Sequence, residues 1–221
     1  KNPGLCFDLQ LNTLRNVLEI ARGMSRVVLM SSSTVYGDFE GDEVTEDTRP
    51  KPVGIYANTK YMAERLVRTY SDQYHLPSII IRPSALYGER CVSGRVSQKF
   101  IENALAGESL TVEGEGRLDF THISDLVNGI ALSMEKLKRE GTHTFNITRG
   151  NARTVVDLAN VVLSVVPDAM LDFRPANRDK PVRGTLSIKR ATEMLGYVPR
   201  YDLEDGYRGY CEWYAGEWDA V

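Results

Sequence analysis

No apolar stretch in this 221-residue chain is long enough to cross a bilayer. The longest, such as the one at 26–30, fall far short of the about 20 residues that a spanning helix needs, so no transmembrane helix is expected. The start of the chain also lacks the basic, then apolar, then small-residue order of a secretory leader. Cysteine is scarce. Cys6, Cys91 and Cys211 are odd in number, far apart and free of C-x-x-C or His neighbours, which argues against a disulfide frame or a zinc site and for a reducing, cytoplasmic setting. Excess basic charge is missing too: with a net charge of −3 and a pI near 5.7, nucleic acid is not an expected partner. One further absence bears on chemistry. No G-x-G-x-x-G or G-x-x-G-x-x-G turn follows any apolar strand.

What remains is an ordinary globular composition, 42% apolar and 26% charged, sufficient for one sizeable core or one domain with an appendage. Phe7, Leu11, Leu14, Val17, Leu18 and Ala21 recur at helical spacing, so 5–22 reads as an amphipathic helix ended by Gly23. An apolar strand at 26–31 follows, then an acidic, Pro- and Gly-containing loop over 37–54 and a helix over 55–74. The β-branched run at 78–82 reads as a strand buried on both faces and ended by Pro83. Strand, helix, strand in this order is the parallel α/β crossover. A third strand is expected at 144–148, after a helix at 124–137.

Shorter elements fill the rest: helices at 96–106, 187–195 and 202–214, strands at 110–112, 119–122 and 170–173, and a Thr154-x-x-Asp157 capping pattern that opens another helix. The fold class expected is α/β, a partial doubly wound, Rossmann-like parallel sheet with a small C-terminal substrate lobe. Residues 1–90 would form the sheet half, and 91–221 the lobe, interleaved with a return strand and helices over about 119–166. No internal repeat is present.

Two strings concentrate the chemistry. Ser31-Ser32-Ser33-Thr34-Val35-Tyr36-Gly37 closes the first strand, and Tyr56-Ala57-Asn58-Thr59-Lys60 opens the long helix. A hydroxyl at a strand end, with Tyr and Lys on one helical face, can take the proton of a secondary alcohol, and hydride exchange with a nicotinamide is the chemistry implied. His75, His122 and His143 read as structural or exposed, and Glu113, Glu115 and Asp119 as turn and strand-edge acids.

In order along the chain, SSSTVYG, YANTK, Ile81-Arg82-Pro83-Ser84-Ala85-Leu86-Tyr87-Gly88, Asp119-Phe120-Thr121-His122-Ile123-Ser124-Asp125-Leu126 and Leu195-Gly196-Tyr197-Val198-Pro199 resemble the extended short-chain dehydrogenase/reductase family. Within it the chain resembles the nucleotide-sugar epimerase and dehydratase branch. The resemblance covers nearly the whole chain. Family members open with two βαβ units that carry the glycine-rich turn, so the chain resembles the C-terminal two-thirds of such an enzyme. Weak NAD binding by this stretch alone is the corresponding expectation.

The resemblance implies Ser32, Tyr56 and Lys60 as catalytic residues, with Ser31, Tyr56, Lys60, Arg82 and Pro83 along an NAD cofactor. Lys60 would favour the phenolate of Tyr56 and bind the nicotinamide ribose. The two positions after Ser32 carry acids in dehydratases and a Glu at the second in decarboxylases; here they are Ser33 and Thr34, which favours an epimerase. The family's diphosphate-binding Asn and Arg are replaced by Ala85 and Leu118, so Arg117, Arg178 or Arg183 would supply charge to the substrate alongside Ser33, Thr34 and Ala85. A nucleotide sugar is the expected substrate, and no metal is expected. The same residues could serve a sugar dehydrogenase or reductase, and a non-catalytic sugar-nucleotide-binding or dimerisation module is the reading from another class. The resemblance also implies a homodimer through helices 5–22 and 55–74.

Overall fold

The computed structural model describes residues 3–23, 26–91, 93–137, 141–176 and 181–217. Helix α1 (Pro3–Phe7) passes through a π-helical turn (Asp8–Asn12) into α2 (Thr13–Ala21), so the first amphipathic segment is one helical run with a widened turn. Strand β1 (Val27–Met30), a 3-10 turn (Ser33–Tyr36), β2 (Glu43–Val44), α3 (Gly54–Tyr74) and β3 (Ser78–Arg82) follow. Next come β4 (Leu86–Tyr87), α4 (Val96–Leu105), β5 (Leu110–Glu113), β6 (Arg117–Leu118), β7 (Thr121–His122), α5 (Ile123–Lys136) and β8 (Thr142–Asn146). The remainder is β9 (Arg153–Thr154), α6 (Val155–Val165), β10 (Leu171–Arg174), β11 (Thr185–Leu186), α7 (Lys189–Leu195), a second π-helical turn (Leu203–Tyr207) and α8 (Arg208–Glu217).

Strands β1, β3 and β8 form a parallel sheet in that order, in register from Val27 opposite Ser78 to Arg82 opposite Asn146. All five residues of β3 are buried because the sheet is covered on both faces. Ile80 points to one face, where Leu14, Leu18 and Ala21 of α2 and Ala63 and Val67 of α3 pack. Ile79 and Ile81 point to the other, against Leu126 of α5 and Ala191 and Leu195 of α7. The period of two in the strand thus matches two helical layers. The third strand lies two residues earlier than its expected 144–148, because Pro83, lacking an N–H, ends the β3 ladder at Arg82.

A second core, rich in aromatics, joins α4, α6 and α8 around Phe100, Phe120, Tyr207 and Tyr210. Its strands pair in twos: β5 with β10 and β4 with β7 in parallel, β6 with β9 antiparallel. The strand expected at 119–122 is shortened to β7, with β6 just before it, and Asp119 between the two is fully buried. The loop over 37–54 contributes β2, which pairs with β11 across a long stretch of sequence. The Thr154–Asp157 capping box forms as its spacing predicts, with Thr154 Oγ1 accepting from Asp157 N at 3.0 Å and Asp157 Oδ2 from Thr154 N at 2.9 Å. Among the described residues no helix is long and apolar enough to cross a membrane.

Candidate functional site

Strand β1 delivers the serine run to the carboxyl edge of the sheet. Ser31 N–H donates to Ile81 O at 2.8 Å and Ser33 N–H to Pro83 O at 2.9 Å, so the ladder guides the chain three residues past the strand. Ser32 is extended and caps the 3-10 turn: its Oγ accepts from Thr34 N at 3.2 Å and from Thr34 Oγ1 at 3.0 Å. In both contacts Ser32 is the acceptor, which leaves its O–H to donate. Gly37 closes the turn with φ 73°, and a Cβ there would lie 2.0 Å from Lys51 O. Only glycine fits that approach.

Helix α3 brings Tyr56, Lys60 and Glu64 to one face at intervals of four residues. Lys60 Nζ donates to Met30 O at 2.9 Å and lies 5.8 Å from the centroid of the Tyr56 ring. Ser31, Ser32, Ser33, Thr34 and Tyr56 line one cavity of about 350 Å³, whose far wall includes Pro83, Ala85, Leu118, Phe120 and Arg183. Residues just past the ends of β1 and β3, from α3 and from the lobe therefore converge on one space. Arg183 reaches it from the segment before β11, donating to Gly37 O at 2.6 Å, and burial lowers its pKa although the Asp38 charge works against this.

Two of the arginines expected at the site, Arg82 and Arg117, spend donors on protein groups. Arg82, expected beside the cofactor, is 2% exposed and forms a bidentate pair with Glu64, Nε to Oε1 at 2.9 Å and Nη2 to Oε2 at 2.6 Å. Burial pulls its pKa down, but the bonds and charge of Glu64 and the neighbouring Tyr36 outweigh this and raise it. Arg117 is exposed and donates to Ala152 O at 3.0 Å, away from the cavity, because the β6–β9 pairing turns Leu118 inward instead. Arg178 lies outside the described residues. Ser31, expected along the cofactor, lines the cavity but spends its O–H on Glu64 Oε1 at 2.6 Å.

Sequence reasoning did not single out Arg95, Ser84 or Ser97, which also line the cavity. The signal was the opening of α4 directly after Gly94, which sets a basic residue at the helix start above the sheet edge. Among the described lining residues two are arginines and none is an Asp or Glu. Such a cavity suits an anion with hydroxyl groups. Asp119 stands behind this wall between Leu118 and Phe120, and burial raises its pKa to about 6.

A profile of the NAD dependent epimerase/dehydratase family matches residues 1–148, two-thirds of the chain. The chain belongs to that family. UDP-glucuronic acid decarboxylase 2 of Arabidopsis thaliana is 34% identical over 216 residues, which cover 93% of this chain and 48% of that protein. Among solved structures, the UDP-glucose 4-epimerase of Thermotoga maritima superposes with a TM-score of 0.90 at 24% identity, over 98% of this chain and 72% of that one. The UDP-glucuronic acid 4-epimerase of Bacillus cereus, solved with UDP-glucuronic acid and NAD, gives 0.87 at 25% identity, over 96% and 68%. These matches identify the fold as Rossmann-like. The chain spans about half to two-thirds of the length of the curated relatives it matches, 48% and 64% in two of them.

Proposed function

We propose that this chain carries the catalytic and substrate-binding part of an NAD-dependent nucleotide-sugar 4-epimerase, with Ser32, Tyr56 and Lys60 as its catalytic residues. The observation that carries this reading is the shared cavity: Ser32 and Tyr56 both line it, Lys60 stands one helical turn from Tyr56, and no carboxylate lies on its described wall. The sheet half then serves the cofactor and the lobe serves the nucleotide.

In this reading Ser32 donates to the sugar C4 oxygen and holds it toward Tyr56, which takes the hydroxyl proton and later gives it back. Lys60 stabilises the phenolate during that exchange. The residues present fit the nicotinamide end of the cofactor, since an ammonium at the carboxyl end of β1 is the donor that a ribose diol accepts. When bound, NAD supplies reversible hydride acceptance at C4. Arg183 and Arg95 face the diphosphate, and Ser33, Thr34 and, from the far wall, Ala85 surround the sugar.

The named decarboxylase relatives favour a second reading, removal of a C6 carboxylate after the same oxidation. Against it stands the hydroxyl pair at 33 and 34, which has no carboxyl group to manage a β-keto acid. The test is product analysis by NMR after incubation with NAD and UDP-glucose, UDP-galactose or UDP-glucuronic acid. Inversion at C4, lost in Tyr56→Phe, is expected. Release of CO2 or of water, or full activity in Tyr56→Phe, would refute the assignment.

Leu5, Leu9, Val17 and Ile20 of the N-terminal helical run and Ile55, Met62 and Leu66 of α3 are exposed although the same helices bury another stripe on the sheet. That supports a two-fold dimer through these helices. Light scattering should give twice the 24.8 kDa chain mass; a monomer would contradict it.

A further inference from the structure

Directly beneath the proposed proton-transfer residues lies a charge that catalysis does not use. Glu64 is the third member of the Tyr56, Lys60, Glu64 face of α3, and its side chain is fully buried. Its carboxylate accepts three hydrogen bonds, from Ser31 Oγ at 2.6 Å, Arg82 Nε at 2.9 Å and Arg82 Nη2 at 2.6 Å. Ser31 is the residue before Ser32, just past the end of β1, and Arg82 is the last residue of β3. The Arg82 guanidinium also lies 4.8 Å from the centroid of the Tyr36 ring, at the end of the 3-10 turn that carries Ser33 and Thr34. Tyr36 in turn donates to Asn146 Oδ1 at 2.7 Å, at the end of β8. One carboxylate on α3 is thus wired to the carboxyl ends of β1 and β3, and through Arg82 and Tyr36 to β8.

We propose that Glu64, with Ser31 and Arg82, is a positioning device that sets the distance between the Tyr56 phenol and the Ser32 hydroxyl. Tyr56 rides on α3 and Ser32 on the end of β1, so their separation follows the seating of the helix on the sheet. Apolar contacts such as Val67 against Ile80 hold that helix down but let it slide, since they have no direction. Hydrogen bonds from two strand ends to one carboxylate do not. Stability alone gives a poor reason for the pair, because a buried ion pair contributes little over apolar residues of the same volume. Geometry gives a better one: a displacement of about 1 Å between reacting groups costs about a hundredfold in rate.

This inference rests on the epimerase reading, and its test separates the two. In the apolar replacement Glu64→Met with Arg82→Leu, the melting temperature should be unchanged or higher while kcat falls about tenfold to a hundredfold and KM moves less than about twofold. Wild-type kcat in a folded double variant would overturn the proposal. Should that variant not fold, a cycle on Ser31 decides. Ser31→Ala should lower kcat in the wild type but cost less than about twofold once Ser32→Ala has removed the group being positioned; losses that multiply would overturn it. Amide exchange gives the readout without turnover: Ser31→Ala should speed exchange over residues 31–36 with the rest of the sheet unaffected, and unchanged exchange there would refute the lock. If no nucleotide sugar is turned over by the wild type, the epimerase reading falls, while the exchange arm still judges the lock.

Discussion

The floor of the cavity and the wall behind it each bury a carboxylate completely, and the two are satisfied by different means. Glu64, under the floor, faces a guanidinium and a serine hydroxyl. Asp119, behind the wall, has neutral donors: Gly150 N at 3.2 Å on Oδ1, with Thr148 Oγ1 and Leu186 N, each at 3.1 Å, on Oδ2. Both tie together segments distant in sequence. The cation beside Glu64 compensates its charge, whereas burial outweighs the donors around Asp119 and lifts its pKa to about 6. Equal burial therefore produces unequal sensitivity to mutation.

Removing the carboxylates should give the largest contrast. Glu64→Ala strands the Arg82 guanidinium at 3% exposure and should cost about 3–5 kcal/mol in urea unfolding. Asp119→Asn retains shape and one acceptor oxygen, leaves no charge unpaired, and should cost about 1–3 kcal/mol. Equal losses would break the comparison. A pH series sharpens it further. Folding raises the Asp119 pKa from 3.8 to about 6, so between those values the folded chain binds more protons than the unfolded one. Its contribution to stability falls as pH rises through that window, by about 3 kcal/mol, and is constant above it. The stability difference between wild type and Asp119→Asn should drift by about that amount between pH 3 and pH 7; a flat difference would show that the neutral donors suffice.

The smallest effect belongs to an acid at the surface. Asp157, in the capping box of α6, is held below its ordinary pKa: burial works against this but is outweighed by Thr154 and Arg153. Thr154→Ala should cost about 1 kcal/mol, measured by thermal unfolding, and should leave any catalytic parameter unchanged.

The legible parts of this chain were those whose signal is local. The run 78–82 read as a doubly covered strand because five consecutive residues with three isoleucines have no solvent-facing alternative, and β3 is buried throughout. The Tyr56 and Lys60 pairing was legible because a spacing of four is one helical turn, as the 5.8 Å contact between them reflects. Arg82 read as a residue along the cofactor, and the structure pairs it with Glu64. An arginine at the end of an apolar strand looks the same in sequence whether it meets a ligand or a glutamate eighteen residues earlier. Arg117 was equally ambiguous, since a two-residue strand has no periodicity from which to tell which side chain turns inward. Asp119 read as a strand-edge acid, and only the meeting of the chain near 119, 150 and 186 encloses it.

Composition and spacing by themselves determined the α/β class, the order of strands and helices, and the face shared by Tyr56, Lys60 and Glu64, because these depend on interactions within a few residues. Tertiary structure alone decided which charges face the cavity and which lie beneath it. Burial, pairing and proton affinity are set by neighbours brought in from elsewhere in the chain, and the sheet register that brings Ser31, Glu64 and Arg82 together is a property of the packed whole.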